Sequence, residues 1–143
     1  MMYAEEIEIG SRFDFESYAM TAEEITTFGA KWDPLPLHLS EDIADGTAFG
    51  RLVASGVHTL AVFQRLAVLA AFAQWDIFAG RRLDDVKLLA PVFPGDSLTG
   101  GLEVQGIEFN HPGRALVTCF GWLDTSRGRT LELVAESYVN RRP

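Results

Sequence analysis

The stretch Leu52–Ala73 constrains the fold more than any other part of the chain. Beginning at Ser55 or Gly56, it has the length and composition of one long helix, and apolar residues lie on nearly all of its sides. A helix that is apolar all round must be enclosed, either by protein or by lipid. His58 and Arg65 within it make a membrane span costly. We therefore expect a helix surrounded by the protein itself and no contact with a membrane.

The segments after this helix show the alternation and β-branched content of strands. The predicted strands are Val86 to Ala90, Leu98 to Ile107, Ala115 to Leu123 and Leu131 to Val139. Turn sequences separate them, at Pro94-Gly95-Asp96, His111-Pro112-Gly113 and Ser126-Arg127-Gly128. Within the second strand, the pair Gly100-Gly101 is expected to form a bulge.

Upstream of the central helix the pattern predicts one strand, Phe13–Ala19, and two further helices. Thr21 followed three residues later by Glu24 is the capping-box signature, so a helix should cover Ala22 to about Lys31. Ser40 has the character of a cap for a second, short helix. Helices followed by a run of strands indicate an α+β domain, with the central helix packed on one face of an antiparallel sheet.

The bulk properties restrict the class of protein. The chain has 143 residues without repeats or linkers, so we expect a single domain, 1–143. Its net charge of −8 argues against a nucleic-acid partner and against an anionic membrane surface. With one cysteine, Cys119, no intrachain disulfide can form. We expect Cys119 to be a core residue and the protein to be cytoplasmic.

A segment with the sequence WDPLPLH presents Asp33 and His38 where two prolines disfavour a helix. An aspartate and a histidine held around one water molecule can serve as base and acid in a hydration. Trp32, Leu35 and Phe49 are expected to line the pocket around this pair. The residues alone leave a structural alternative open, because aspartate before proline is common in turns and a single histidine is usually structural.

The start of the central helix is the second candidate site. The first N–H groups of a helix have no intrahelical partner and favour an anion, such as the oxyanion of a transition state. We expect Ser55, Gly56 and Val57 to bind the oxyanion of a substrate. His58 is expected either to add a donor there or to pack at a dimer contact. A plain helix cap by Ser55 is compatible with this role.

Together these segments resemble the MaoC-like dehydratase family, which includes the (R)-specific enoyl-CoA hydratases. The family signature reads aspartate, any residue, asparagine, proline, any residue, histidine, followed by a Phe-Gly loop and a glycine motif that opens the central helix. The matching residues here are Asp33–His38, Phe49-Gly50 and Ala54-Ser55-Gly56. Pro91–Asp96 is similar to the family's turn between two strands, and the resemblance covers about Phe13–Asn140.

The resemblance implies a hot-dog fold, an antiparallel sheet wrapped around one long central helix, and a homodimer. It implies an acyl-CoA or acyl-carrier thioester as substrate, no cofactor and no metal. The family's catalytic positions fall on Asp33 and His38, and its oxyanion donors near Ser55, Gly56 and Val57. The parent reaction is syn addition of water to give an (R)-3-hydroxyacyl thioester, so the resemblance predicts a hydro-lyase.

Leu35 departs from the family pattern, which has asparagine or another polar residue at this position to order the site beside the aspartate. A leucine side chain makes no hydrogen bond. Two other functions therefore stay open. One is a hot-dog thioesterase, in which a carboxylate-activated water attacks the thioester carbon. The other is a non-catalytic acyl-thioester-binding subunit that pairs with an active partner.

Two arginine pairs, Arg81-Arg82 and Arg141-Arg142, are candidates for contacts with the phosphates of CoA, although most such pairs are solvated. The spacing of Asp33, His38 and His58 matches no zinc pattern, so no metal site is expected.

Overall fold

The computed structural model describes residues 1–143. The helices are α1 (Ala22–Trp32), α2 (Glu41–Ala44) and α3 (Gly56–Ala70). The strands are β1 (Arg12–Asp14), β2 (Tyr18–Ala19), β3 (Ile77–Leu88), β4 (Ser97–His111), β5 (Arg114–Thr125) and β6 (Gly128–Asn140). Short 3-10 turns lie at Ala4–Glu6, Pro36–His38 and Phe72–Gln74.

The six strands form one antiparallel sheet in the order β1-β4-β5-β6-β3, with β2 also paired to β4. Helix α3 packs on the inner face of this sheet, and its residue Phe63 is fully buried against β5. A Cβ atom built on Gly121 of β5 would lie 2.3 Å from the ring of Phe63, so the glycine makes room for it. This sheet around one long helix is the hot-dog arrangement that the resemblance implied.

Helix α1 begins where the sequence predicted. The hydroxyl of Thr21 accepts a hydrogen bond from the Glu24 N–H at 3.2 Å, which caps the helix. The reciprocal half of a capping box is not formed, because the Glu24 carboxylate instead accepts a hydrogen bond from the Tyr18 hydroxyl at 2.6 Å. Ser40 caps α2 in the same manner, through the Ile43 N–H.

Three predictions about strands are wrong in detail. The predicted strand Phe13–Ala19 is divided into β1 and β2, and β3 begins well before Val86, at Ile77. No bulge occurs at Gly100-Gly101, since both residues stay in register with β5. A Cβ on Gly100 would lie 2.0 Å from the carbonyl oxygen of Trp122, so close approach of neighbouring strands explains this glycine.

Helix α3 is enclosed on one side only within a single chain. Its buried residues are His58, Thr59, Val62, Phe63, Leu66 and Ala67. Its exposed residues are Val57, Ala61, Gln64, Arg65, Val68 and Leu69. The prediction of a helix surrounded on all sides is therefore wrong for one chain, because the sheet covers only one face of α3. None of the three helices is both long and apolar enough to cross a bilayer.

Cys119 lies in β5 with 1% of its surface exposed, which confirms it as a core residue. Burial raises the pKa of its thiol to about 12. The thiolate form, which is the nucleophilic form of cysteine, is therefore strongly disfavoured at neutral pH.

Candidate active site

The end of α1 and the turn after it bring Asp33 and His38 together. Asp33 is the C-terminal cap of α1, and its N–H donates to the Gly29 carbonyl at 3.0 Å. The chain then reverses through the 3-10 turn Pro36–His38, which is the turning segment that the two prolines predicted. As a result, Nε2 of His38 lies 3.4 Å from Oδ2 of Asp33.

The second ring nitrogen fixes the orientation of the His38 imidazole. Nδ1 lies 2.7 Å from the carbonyl oxygen of Val53. Because a carbonyl can only accept, Nδ1 must carry the proton. In the neutral ring, Nε2 then directs a lone pair toward the Asp33 carboxylate. With the ring neutral, two acceptors face each other. The side chain of His38 is 8% exposed and that of Asp33 is 27% exposed.

Ser55 links this pair to the start of α3. Its hydroxyl donates to Oδ2 of Asp33 at 2.7 Å and accepts from the Val57 N–H at 3.2 Å, so it caps the helix as well. The Val57 N–H is therefore already occupied. The Gly56 N–H takes part in none of the hydrogen bonds of the structure. Of the expected oxyanion donors, Ser55 and Gly56 both have amides without a hydrogen-bond partner, and Gly56 is the one that lines the pocket beside His38.

A pocket of about 400 Å³ adjoins the pair. Most of its wall is apolar, and it is lined by Leu37, His38, Phe49, Val53, Ala54, Gly56, Thr59, Leu88, Leu89, Ala90, Pro91, Val92 and Thr130. His38 and Gly56 thus line one cavity. A polar end group can be held at these two residues while an apolar chain occupies the rest.

The three residues expected to line this pocket behave differently. Phe49 lines it, as expected. Trp32 does not: it is 65% exposed, because α1 extends through it and turns its side chain outward beside Lys31. Leu35 is 53% exposed and does not line this pocket, because it precedes the turn that directs His38 inward. A second pocket lies between α1 and α3, with Phe28 and His58 in its wall, and Leu35 does not line that one either.

The side chain of His58 lies away from the Asp33–His38 pair. Its Nε2 is 3.1 Å from a carboxylate oxygen of Glu24, and its ring stacks on Phe28 with 4.5 Å between centroids. Two residues along a helix correspond to about 200° of rotation, so His58 and Gly56 face opposite sides of α3. The expectation that the His58 side chain adds a donor to the site is therefore wrong.

Two residues that position the site were not anticipated. A Cβ atom on Gly29 would lie 2.4 Å from the carbonyl oxygen of His38, so only glycine lets α1 approach the 3-10 turn. A glycine inside a helix lowers the stability of that helix by about 1 kcal/mol relative to alanine. Its presence within the predicted helix was therefore the sequence signal for a close contact at Gly29. The carbonyl of Val53, which orients His38, has no signal in the sequence because any residue could supply it.

The two arginine pairs are occupied by carboxylates. Ion pairs join Arg81 to Glu136, Arg82 to Asp84, Arg141 to Glu5 and Arg142 to Glu6. None of the four arginines lines the pocket beside His38. The geometry therefore does not favour them as phosphate ligands for a molecule bound there.

Comparison with known proteins gives consistent matches. The family model of the MaoC like domain matches residues 5–117. The (R)-specific enoyl-CoA hydratase of Aeromonas caviae is 31% identical over 118 residues, which are 82% of this chain and 85% of that protein. The uncharacterized protein YdeM of Bacillus subtilis (strain 168) is 32% identical over 103 residues, covering 72% and 73% of the two chains.

A solved structure agrees with these sequence matches. The MaoC-like dehydratase from Rhodospirillum rubrum superimposes with a TM-score of 0.88 at 34% sequence identity. The superposition covers 100% of this chain and 99% of that one. Fold and sequence thus point to the same group of proteins.

Proposed function

The chain belongs to the MaoC-like dehydratase family, and from that premise we propose that it is a hydro-lyase acting on acyl thioesters. It adds water across the α,β double bond of an enoyl thioester, or removes water from a 3-hydroxyacyl thioester. Asp33 and His38 form its acid–base pair. The relative from Aeromonas caviae supports this reaction by its name, (R)-specific enoyl-CoA hydratase.

The observation that carries the proposal is the pairing of two acceptors. The Asp33 carboxylate and Nε2 of His38 are 3.4 Å apart, and Nδ1 of His38 is already committed to the Val53 carbonyl. A water molecule has two hydrogens, so it can donate one to each acceptor. Because both hydrogens of this water are donated to the pair, the lone pairs of its oxygen remain free to attack a carbon atom.

The thioester carbonyl is placed at the free N–H of Gly56. Attack on the β-carbon moves negative charge onto that carbonyl oxygen, which becomes enolate-like. The N–H of Gly56 and the positive end of the dipole of α3, a helix of 15 residues, stabilise this charge. The same donor binds the ground-state carbonyl more weakly, and this difference lowers the barrier.

The reaction balances without any other reactant. The water oxygen bonds to the β-carbon, and one water proton passes to the Asp33–His38 pair. The pair returns a proton to the α-carbon, and the enolate-like oxygen reverts to a carbonyl. Because one pair handles both transfers from one side of the substrate, hydroxyl and hydrogen add to the same face. The two groups titrate as a unit, so base and acid are assigned to the pair.

Ser55 supplies a hydrogen bond to Asp33 although Leu35 stands where the family has a polar residue. The family's polar residue at that position orders the site beside the aspartate, and leucine cannot do so through its side chain. Here the Ser55 hydroxyl, at the start of α3, donates a hydrogen bond to Oδ2 of Asp33 at 2.7 Å. We infer that this hydrogen bond orders Asp33 without a polar side chain at position 35, and that the chain is active.

We also propose that the protein is a homodimer. Strand β3 is at one end of the sheet order and leaves a row of backbone groups unpaired. Exposed apolar side chains lie along it, including Phe78, Leu83 and Leu88. Gln64 and Val68 of α3 share small pockets with residues of β3, so the exposed face of α3 adjoins this edge. A second copy would cover both surfaces.

The test is a screen of enoyl-CoA and 3-hydroxyacyl-CoA thioesters with the purified protein. Loss of enoyl absorbance without release of free thiol is the expected result for at least one enoyl thioester. Release of free thiol instead would identify a thioesterase. If no thioester turns over and the chain copurifies with a second hot-dog protein that is active, the chain is a binding subunit and the lyase proposal is wrong.

A further inference from the structure

The segment 52–54, just before α3, supplies the Val53 carbonyl of the candidate active site. Each of its three N–H groups donates a hydrogen bond to a different part of the chain. The N–H of Val53 donates to the Leu37 carbonyl at 2.9 Å, and the N–H of Ala54 donates to the Val92 carbonyl at 2.8 Å. Both of these acceptors are backbone atoms, which any residue can supply. The third acceptor is a side chain, so the support of this segment depends on one particular residue.

That side chain belongs to Glu41, the first residue of α2. Its Oε2 accepts a hydrogen bond from the Leu52 N–H at 3.0 Å, between residues eleven positions apart. Leu52 is 1% exposed, so without this acceptor its N–H would be buried and unsatisfied. Because the acceptor is a carboxylate, the bond is stronger than one between neutral groups. Glu41 therefore ties α2 to the segment that carries the Val53 carbonyl.

The Val53 carbonyl determines which nitrogen of His38 carries the proton. It lies 2.7 Å from Nδ1, so the neutral ring is protonated there and its bare Nε2 lies 3.4 Å from Oδ2 of Asp33. If the carbonyl moved away, the proton would be free to shift to Nε2, which would then donate directly to Asp33. Such a bond would use up both acceptors of the water molecule in the proposed reaction. The position of this carbonyl thus controls whether the pair can hold a water.

Resting on the proposed function, we propose that Glu41 is a positioning residue for His38. Its carboxylate holds the Leu52 N–H and thereby keeps the segment 52–54 in place. In that position the Val53 carbonyl selects the tautomer of His38 with the proton on Nδ1. Glu41 does not line the pocket beside His38, so it acts on the acid–base pair only through the backbone of this segment.

The kinetic experiment compares Glu41→Ala and Glu41→Gln with wild type in the hydration of an enoyl thioester. Glu41→Ala should lower kcat about tenfold with KM little changed, because the charged hydrogen bond that holds the segment is lost. Glu41→Gln keeps an acceptor oxygen at the same reach and should recover most of kcat. Asp42→Ala is the matched control, since Asp42 is an exposed carboxylate in the same first turn of α2. It should keep the kcat of wild type.

A spectroscopic measurement detects the tautomer of His38 without any substrate. Nitrogen-15 NMR of the imidazole, at a pH where the ring is neutral, distinguishes a proton on Nδ1 from one on Nε2, and His38→Ala identifies the signals. Wild type and Glu41→Gln should carry the proton on Nδ1, whereas Glu41→Ala should show a fraction with the proton on Nε2. Glu41→Asp keeps the charge but is one methylene shorter. It should show part of the same change, and it takes the place of Glu41→Ala if that variant does not fold.

The two measurements separate this proposal from the reaction itself. If wild type hydrates a thioester but folded Glu41→Ala keeps both kcat and the tautomer of wild type, the positioning role is wrong and the lyase stands. If no thioester reacts but the tautomer changes in Glu41→Ala, the lyase is wrong and the positioning of His38 stands. A fall in kcat without a change of tautomer, or an equal fall in Asp42→Ala, would overturn the role assigned to Glu41.

Discussion

At the scale of single residues, Oδ2 of Asp33 is the atom on which the proposed chemistry depends. It accepts a hydrogen bond from Ser55 and lies 3.4 Å from Nε2 of His38. The Ser55 hydroxyl lies 2.7 Å from Oδ2 of Asp33, and the Val53 carbonyl oxygen lies 2.7 Å from Nδ1 of His38. These two hydrogen bonds orient the two reacting groups. Such fixed partners keep the pair in place without reorganisation during the reaction.

Ser55→Ala tests this support. Ser55 acts through Asp33, so we expect kcat to fall about tenfold or more while KM changes little. Loss of the helix cap should also cost about 1 kcal/mol of stability. Ser55→Thr, which keeps the hydroxyl, should recover part of kcat. The measurements are steady-state kinetics and denaturant unfolding.

Thr21→Ala is the matched control, since it removes the cap of α1 without touching the acid–base pair. It should lose similar stability and keep its kcat. Equal losses of kcat in both variants would show that Ser55 matters only for folding.

The sequence predicted those site residues that lie close together along the chain, and it did not predict the features that depend on contacts between distant segments. Asp33 and His38 share one rigid segment, so their proximity could be expected. The orientation of His58 could not, because it depends on which side of α3 the sheet covers.

At the scale of elements, the contact between α1 and the 3-10 turn after it positions the site. Gly29→Ala would place a methyl group 2.4 Å from the His38 carbonyl oxygen and 2.8 Å from its Cβ. Backbone cannot yield as a flexible side chain can, so the turn must shift. We expect a loss of about 1–3 kcal/mol in stability and a large fall in kcat, despite the better helix propensity of alanine.

Gly46→Ala is the control for that variant. No atom lies within 4 Å of the position that a Cβ atom on Gly46 would take, so the space there is open. Its stability and kcat should remain close to those of wild type. A Gly29→Ala protein with normal stability and normal kcat would contradict the positioning role of this contact.

The turn before β4 and the turn between β5 and β6 are joined by Asp96 and Arg127. The hydrogen bond from Arg127 lowers the pKa of Asp96 below its ordinary value of 3.8. A lowered folded-state pKa stabilises the protein above the unfolded pKa, and this stability is lost as the pH falls through the folded value. Asp96→Asn should therefore cost about 1–2 kcal/mol at pH 7.

That difference between wild type and Asp96→Asn should shrink as the pH falls below about 4, as followed by urea unfolding at several pH values. Asp14→Asn is the control, because its ion pair with Arg12 is exposed and should contribute little at any pH. A cost for Asp96→Asn that does not depend on pH would show that the charge of Asp96 has no part in it.

The elements themselves were predicted with unequal success. The start of α1 was correct because Thr21 caps it locally, whereas β3 was predicted too late because its first half, at Ile77–Leu83, lacks regular alternation. This half lies on the edge of the sheet and pairs irregularly with β6. The pattern of apolar residues in this half therefore depends on what packs against the sheet edge, and the sequence of one chain does not specify that partner.

At the scale of the whole molecule, the exposed edge at β3 and the exposed face of α3 should form the interface of a dimer. Leu83→Lys puts a charge into this surface, where Leu83 is 50% exposed. We expect light scattering to give the mass of two chains for wild type and a shift toward one chain for the variant.

Ile9→Lys is the control for a charge placed on an exposed apolar residue elsewhere, since Ile9 is 64% exposed before β1. It should stay dimeric. A wild-type protein with the mass of one chain, or a Leu83→Lys protein that remains fully dimeric, would contradict the proposed interface.

The most direct measurement of the acid–base pair is kcat for hydration of an enoyl thioester by Asp33→Asn, His38→Ala and the double variant, each shown to be folded by circular dichroism. Each single variant should lose at least about 100-fold. Because both groups act on one water molecule, the double variant should be little slower than the worse single one. A folded single variant that keeps most of its rate, or losses that multiply in the double variant, would contradict a shared water between Asp33 and His38.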